Sequence, residues 1–288
     1  MRLPETLRHI CVYKGGAEWL DQLPDLFDQC VANWKLNKIG APFRGSNVSL
    51  AVPVEQDGNA AVLKIQFPSP ESEHEAAALA LWDGDGAVRL LAHDPERCAL
   101  LLERCEPGEY LADTTNEDAL KVVADLLRRL WKPAAAPFSC LADVAVQWAL
   151  EMPDGWEKAE QPCERYLVDA AIDYLNELGK SQKESVLLHQ DLHGHNIISA
   201  ERAAWLAIDP KPLVGERAFS IAPVVRSFEF GHTKEATLYR LDRLSDELGL
   251  DRERALGWTV AQTMAWSFDG GYVATHHQTV RWLLGRSS

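Results

Sequence analysis

The chain has 288 residues, 47% of them hydrophobic and 25% charged, with ten Trp and 43 Asp and Glu against 29 Lys and Arg, for a formal charge of −14. Such a composition excludes a disordered chain, and the acidic balance excludes a general nucleic-acid binder, which carries a basic domain or stripe. No stretch approaches the roughly 18 uninterrupted apolar residues of a membrane span. The six cysteines (Cys11, Cys30, Cys98, Cys105, Cys140 and Cys163) form no CxxC pair. A soluble, untargeted, cytoplasmic protein with reduced thiols is therefore expected.

In chain order, Asp21 to Trp34 reads as an amphipathic helix, followed by a break at Gly40-Ala-Pro. Strand-like runs rich in Val, Leu and Ile follow at Val48 to Val54, Ala60 to Phe67, Val88 to Ala92 and Ala99 to Arg104, separated by Gly, Asp and Pro turns. Between the second and third runs, Ser72 and Glu75 have the spacing of a capping box ahead of an Ala/Leu segment. After Glu106-Pro-Gly the apolar residues recur every three or four positions, which predicts helices over about 117–131, 139–150, 163–179, 219–229, 234–248, 251–268 and 275–284. Only Ser185 to Leu188, Ile197 to Ser199 and Ala203 to Ile208 look strand-like there. The sum is a small lobe of sheet with a helix packed on it, a linker near 103–109, and a larger helical lobe. The size suits two such lobes.

The densest polar cluster is His189-Gln-Asp191-Leu-His193-Gly-His195-Asn196, set between two apolar runs. A short loop between buried strands that carries so many titratable and chelating groups is a candidate active site, against the plainer reading of a polar turn with solvated histidines. Asp209 stands at the tip of the apolar strand Ala203 to Ile208, where the following Pro must end the strand. Asn196 and Asp209 on neighbouring strand ends are oxygen ligands suited to Mg²⁺ bridging nucleotide phosphates. In the N-terminal half, Lys64 interrupts the run Ala-Val-Leu-Lys-Ile, where a buried ammonium needs a partner, and Glu75 on the next helix can supply it. Upstream, the small residues of Arg44-Gly45-Ser46-Asn47 allow backbone N–H groups to approach phosphates.

A small-residue loop, a strand Lys, a helix Glu, a linker, an HxDxxxxN loop and a strand-end Asp are the phosphoryl-transfer parts of the protein-kinase architecture, in order. With these motifs the chain resembles the aminoglycoside and hydroxyurea resistance kinase family. The resemblance runs over GAPFRGSNVSLAVPV, AVLKIQFPSPESEHEAAALALWDGDGAVRLLAHD, ALLLERCEPG and LLHQDLHGHNIISAERAAWLAIDPKPLVGERAFSIAPVVR. It implies an α+β, bilobal protein-kinase-like fold, with a small N-terminal antiparallel-sheet lobe over 1–104 that binds nucleotide. A larger, mostly helical catalytic and acceptor-binding lobe follows over 105–288. It implies transfer of the γ-phosphate of ATP, with Mg²⁺, to a hydroxyl of a small molecule such as a streptomycin-like aminoglycoside or hydroxyurea. Asp191 would accept or orient the hydroxyl proton, Asn196 and Asp209 would hold Mg²⁺, and Lys64, paired with Glu75, would contact the α- and β-phosphates. Gly45, Ser46 and Asn47 would cover the phosphates, backbone groups of Glu103 and Cys105 would bond adenine, and His189 would brace the catalytic loop.

The family usually has Asp-Pro and a later Asp where Glu216-Arg217 and Ser220 stand here. Those positions help to set the acceptor floor. Gln190 occupies a position where a small residue is common, and is expected to narrow the site. The acidic excess is uneven: residues 1–105 carry 15 acids and 10 bases, 106–185 carry 16 and 8, and 186–288 carry 12 and 11. A cationic acceptor is expected to be drawn to the middle stretch, with Glu106, Glu109, Asp113 and Asp269 as candidate contacts. A monomer or homodimer without nucleic-acid or membrane partners is expected. Three rival readings stand beside this one. They are a kinase of a metabolite of choline, homoserine or sugar type, a zinc hydrolase using His189, Asp191, His193 and His195, and a non-catalytic kinase-fold binding protein.

Overall fold

The computed structural model describes residues 3–43, 48–70, 72–115, 118–268 and 273–285. The chain divides into two compact units, Met1–Gly108 with Ala200–Arg202, and Glu109–Ser199 with Ala203–Ser288.

In the first unit a 3₁₀ turn (Glu5–Val12) precedes α1 (Gly16–Trp34), which begins five residues before the predicted helix. Trp19, Leu23, Phe27 and Cys30 recur at helical spacing and form its buried face. The sheet comprises β1 (Asn37–Lys38), β2 (Ser49–Gln56), β3 (Asn59–Gln66), β4 (Leu90–Asp94) and β5 (Ala99–Glu103), in the order β1-β2-β3-β5-β4 and antiparallel throughout. Strand β1 is two exposed residues with no apolar run, so nothing in the sequence announces it.

Alternation places Leu50, Val52 and Val54 of β2 and Ala61, Leu63 and Ile65 of β3 in one core with the buried face of α1. Lys64, lying between Leu63 and Ile65, must therefore point to the opposite face of the sheet. There α2 (Glu75–Trp82) supplies its partner. The three-residue segment 200–202 joins this unit because the Arg202 guanidinium donates to both Glu103 carboxylate oxygens (2.8–3.1 Å), to Gly84 O (2.8 Å) and to Ala87 O (2.9 Å).

Strand β6 (Pro107–Tyr110) carries the chain into the second unit. There follow α3 (Ala119–Leu130), β7 (Ser139–Cys140), α4 (Leu141–Lys158), α5 (Arg165–Lys180), β8 (Val186–Leu188), β9 (Ile197–Ala200), β10 (Trp205–Ala207) and β11 (Leu213–Gly215). The unit closes with α6 (Ala222–Val225), α7 (Lys234–Leu248), α8 (Arg252–Ala265) and α9 (Ala274–Leu283). Helix α8 is buried on every side from Ala255 to Met264, and Gly257 lets it approach α5: a Cβ there would stand 2.6 Å from the Tyr174 ring. The short strands position the candidate loop. β9 pairs antiparallel with β10, and β11 pairs antiparallel with β8 and parallel with β7.

The helix expected over 219–229 is instead a 3₁₀ turn (Arg217–Ile221) leading into the four-residue α6. Every residue from Ala218 to Val225 is buried, and in a continuous apolar run the period that separates helix from other structure disappears. No helix among the described residues is long and apolar enough to cross a membrane. All six cysteines are free thiols.

Glu216, at the end of β11, is 4% exposed and accepts hydrogen bonds from Arg254 Nε (2.9 Å), Arg254 Nη2 (2.7 Å) and Trp258 Nε1. Removing this carboxylate leaves a half-buried guanidinium with only Ser181 as hydrogen-bond partner among the described residues (3.0 Å) and strands a buried indole N–H. Glu216→Ala is therefore expected to destabilise the fold by about 2–4 kcal/mol, and Glu216→Gln by less, because an amide oxygen still serves the indole. Urea unfolding of the two variants checks the order.

Candidate active site

The loop from His189 to Asn196 connects β8 to β9 and ends in a 3₁₀ turn, Gly194–Asn196. Its polar groups are tied down one by one. His189 is 1% exposed, and its Nε2 lies 2.9 Å from Ile208 O, a carbonyl that can only accept, so this nitrogen donates. Burial pushes the His189 pKa down to about 4, which keeps the ring neutral. The His189 carbonyl accepts from Lys211 N (3.0 Å). Gln190 is buried and holds a left-handed φ of 66°, and its carbonyl accepts from Gln262 Nε2 (3.0 Å). Asn196 donates its amide to Asp191 O (2.8 Å), and its own carbonyl accepts from Ile208 N (2.9 Å). Because Ile197 pairs with Ala207, Asn196 and Asp209 stand at neighbouring ends of β9 and β10. Asp209 turns the chain with φ 58° ahead of Pro210, a conformation in which Asp is among the better-tolerated side chains.

Three cationic or ionisable groups surround the Asp191 carboxylate: Lys211 Nζ at 3.5 Å, Arg226 Nη2 at 3.7 Å and His193 Nε2 at 3.9 Å. Arg226 follows α6, is 7% exposed, and lies over the Trp266 ring at 4.5 Å, with Lys211 over the same ring at 4.6 Å. Burial lowers the Arg226 pKa to about 10, which still leaves it charged at neutral pH. Arg226 Nη1 donates to Gln262 Oε1 (2.7 Å), and Gln262 in turn donates to Gln190 O. The circuit thus runs from the Asp191 carboxylate through Arg226 and Gln262 to the peptide immediately before Asp191. Asp191, His193, Lys211, Arg226 and Trp266 line a cavity of about 600 Å³, with Phe228, Glu229 and His276 also in its wall. Glu229 accepts from Gly194 N (2.8 Å) and lies 3.4 Å from His193 Nδ1. Burial opposes ionisation of both partners, yet their interaction wins, holding Glu229 at about 2 and His193 above the ordinary imidazole value.

In the first unit Lys64 Nζ donates to both oxygens of Glu75 (2.8 and 2.6 Å), which also accepts from Gln66 Nε2 (2.5 Å). Both members of the pair are buried. The expected capping box does not form, since the Glu75 carboxylate is committed to Lys64 and Gln66. Ser72 Oγ instead donates to Phe67 O (3.0 Å), and α2 has no side-chain cap. Glu103 ends β5 and its N–H donates to Arg89 O (3.0 Å), while the Cys105 thiol is pushed by burial to about 12. Gly45, Ser46, Asn47 and Asp269 lie outside the described residues.

Of the acceptor candidates, Glu106 is an exposed residue of the first unit paired with Arg104 (3.3 Å). Glu109 and Asp113 are exposed residues of the second unit and take no part in the cavity wall. Glu216 and Ser220 also stay out of that wall, for Glu216 binds Arg254 and Trp258 and Ser220 accepts from Trp131 Nε1 (2.9 Å). Gln190 is turned into the core rather than across the cavity. The residues that sequence reasoning missed are Lys211, Arg226, Glu229 and Trp266. Only Lys211 had a signal, in its place two residues after Asp209.

The model of the aminoglycoside/hydroxyurea antibiotic resistance kinase family matches residues 33–270. The chain belongs to this family. It is 36% identical to a streptomycin 6-kinase of Streptomyces griseus, over 95% of this chain and 93% of the relative. It is 35% identical to a hydroxyurea phosphotransferase of Kitasatospora aureofaciens, over 100% and 87%. Among solved structures, choline kinase LicA from Streptococcus pneumoniae superposes with a TM-score of 0.65 at 15% identity, covering 92% of this chain and 99% of that one. Aminoglycoside phosphotransferase APH(4)-Ia gives 0.65 at 14%, covering 92% and 96%. At such identities these two show a shared fold, the α+β protein-kinase-like fold that the motif order implies.

His189 and His277 are both buried with pKa values pushed down to about 4 by desolvation. A depressed folded-state value means that their stability contribution is complete above about pH 6.5, the unfolded value, and drains away as pH falls toward 4. Each is expected to cost about 2 kcal/mol on going from pH 7 to 5, with His193, shifted upward, offsetting part of the loss. Thermal melts across this range should fall steeply, and His277→Gln should flatten the slope.

Proposed function

We propose that the chain is an ATP-dependent, Mg²⁺-requiring phosphotransferase that moves the γ-phosphoryl group to a hydroxyl of a streptomycin-like aminoglycoside. The observation that carries this reading is the Asp191 loop. Its backbone is anchored by His189, Asn196 and Gln262, its one partly open carboxylate faces a cavity, and the side chains of Asn196 and Asp209 stand at adjoining strand ends. The family and the kinases it resembles supply the reaction class.

Phosphoryl transfer to an alcohol asks the protein for alignment and charge neutralisation and for little covalent chemistry. Asp191 would orient the acceptor hydroxyl and take up its proton, and Lys211 and Arg226, within 4 Å of it, fix its direction. Asn196 and Asp209 fit a hard cation by their donor chemistry. The Asn196 amide nitrogen is occupied by Asp191 O, so the atom left to present is its oxygen, and Mg²⁺ takes oxygen ligands. Mg²⁺ bound there supplies charge neutralisation for the phosphate oxygens. In the first unit Lys64, oriented by Glu75, is the group for the α- and β-phosphates; Gly45, Ser46 and Asn47, proposed to cover them, lie outside the described residues. With its N–H occupied by Arg89, Glu103 would meet adenine through its carbonyl, and Cys105 through its backbone N–H. A cytoplasmic site of action accords with the six free thiols.

A second acceptor reading rests on the cavity itself. Its carboxylates, Asp191 and Glu229, are each matched by a cationic or protonatable neighbour, so the wall has no anionic excess to draw a polycation. That balance favours a small neutral acceptor of the hydroxyurea type.

Asp191→Asn is expected to lower phosphoryl transfer by about 10²–10⁴-fold while nucleotide affinity, measured by calorimetry, stays within a few-fold of wild type. An active variant would remove Asp191 from the reaction. Asp209→Ala should lose the Mg²⁺-dependent part of ATP binding, seen by titrating ATP with and without the metal. Equal affinities in wild type and variant would take Asp209 out of the metal site.

A further inference from the structure

One cluster on the cavity wall has no part in the phosphoryl-transfer chemistry. His193, His195 and Glu229 offer ligand atoms that all lie within 4.8 Å of one another. The spacing within the cluster is informative. Ligands bonded to a tetrahedral ion at roughly 2.0–2.1 Å stand about 3.4 Å apart, and His193 Nδ1 lies 3.4 Å from Glu229 Oε1.

The surroundings of these two atoms differ. His193 Nδ1 is approached by the main-chain N–H of His195 (3.3 Å), and Glu229 Oε1 accepts the main-chain N–H of Gly194 (2.8 Å). The carboxylate oxygen keeps a further lone pair for an ion, whereas an ion at His193 Nδ1 would displace the long contact from His195 N–H; the two atoms face one another with the imidazole of His195 beside them. A positive charge belongs between them, and either a proton or a metal ion can provide it. The backbone bond from Gly194 also fixes the carboxylate as an outer-shell partner fixes a metal ligand. Gly194 itself cannot be replaced cheaply, because a Cβ there would stand 2.6 Å from the Phe230 ring.

We propose that His193, His195 and Glu229 form a three-ligand site for a divalent transition ion of the Zn²⁺ or Co²⁺ class on the wall of the Asp191 cavity. Two imidazoles and one carboxylate suit such ions better than Mg²⁺, which takes oxygen ligands and keeps its waters. The set differs from the one that sequence spacing suggested. His189 is closed off by its bond to Ile208 O, and Asp191 faces Lys211 and Arg226. The ion would lie on the Nδ1 edge of His193, and Asp191 is 3.9 Å from the Nε2 edge of the same ring. A bound ion would therefore fix this ring and take up acceptor space, so the site acts as an inhibitory one. This consequence rests on the function proposed above, whereas the binding itself does not.

The test is a Co²⁺ titration of the full chain in excess Mg²⁺, followed by visible absorption, which requires no enzymatic activity. One Co²⁺ per chain with a tetrahedral-type spectrum is expected, displaced by Zn²⁺. His195→Ala, at an exposed position, should weaken binding by at least about 10-fold, as should Glu229→Gln. Absence of a spectrum would show that the cluster holds only a proton. Binding that survives both substitutions would place the ion elsewhere. Either result overturns the proposal. With binding established, Zn²⁺ should inhibit transfer competitively with the acceptor in wild type and at least about 10-fold more weakly in His195→Ala. Bound Co²⁺ in a protein without transferase activity would leave the metal site standing and remove the function instead.

Discussion

A buried guanidinium must be satisfied on every side, and Arg226 is satisfied by the groups that form the candidate site. Its charge faces Asp191, its plane lies on Trp266, and one of its N–H groups reaches Gln262, which holds the peptide before Asp191. Because each of these contacts relieves the desolvation of the same ion, none can shift without exposing another to an uncompensated charge. The carboxylate proposed to handle the acceptor proton is thereby fixed through burial of its counter-ion, and the loop inherits rigidity from α8, buried without a break from Ala255 to Met264.

The same logic recurs in the first unit on a smaller scale. Period-two alternation sends Lys64 to the face of β3 opposite the apolar core, and the only way to keep an ammonium there is to bring a carboxylate to it. Glu75 does so at the cost of the capping role its spacing suggests, and Gln66 on the same face of β3 steadies the second oxygen. Glu216 shows how a departure from the family pattern is absorbed. With Arg254 and Trp258 as partners it serves the packing of α8 and leaves the cavity to other residues.

The parts of this architecture that were legible in the sequence are those written in local pattern. The alternating runs gave β2, β3, β4 and β5, the long amphipathic segments gave α1, α3, α5, α7, α8 and α9 within a few residues, and the loop of His189 to Asn196 stood out by density of function. Strands β1, β6 and β7 were invisible because they contain no apolar run, and β11 offers only Leu213 and Val214 between Pro212 and Gly215, whereas the equally short β8, β9 and β10 lie in apolar runs. The helix expected over 219–229 failed because a wholly buried segment has no polar face to mark its turns. The cavity wall was hidden for another reason: Arg226, Glu229 and Trp266 are brought to Asp191 by tertiary folding alone. The acidic stretch after residue 105 was legible as composition, but Glu109 and Asp113 are solvated, and the carboxylates that face the cavity are already matched.

The central claim is that a hydroxyl-bearing small molecule receives a phosphoryl group at Asp191. The most direct measurement incubates the full chain with Mg²⁺ and ATP against streptomycin, a second aminoglycoside, hydroxyurea and choline, and follows each acceptor by mass spectrometry. The account predicts one added phosphoryl group on streptomycin or hydroxyurea, with one ADP formed for each molecule modified. ATP binding with every acceptor left unmodified would contradict it.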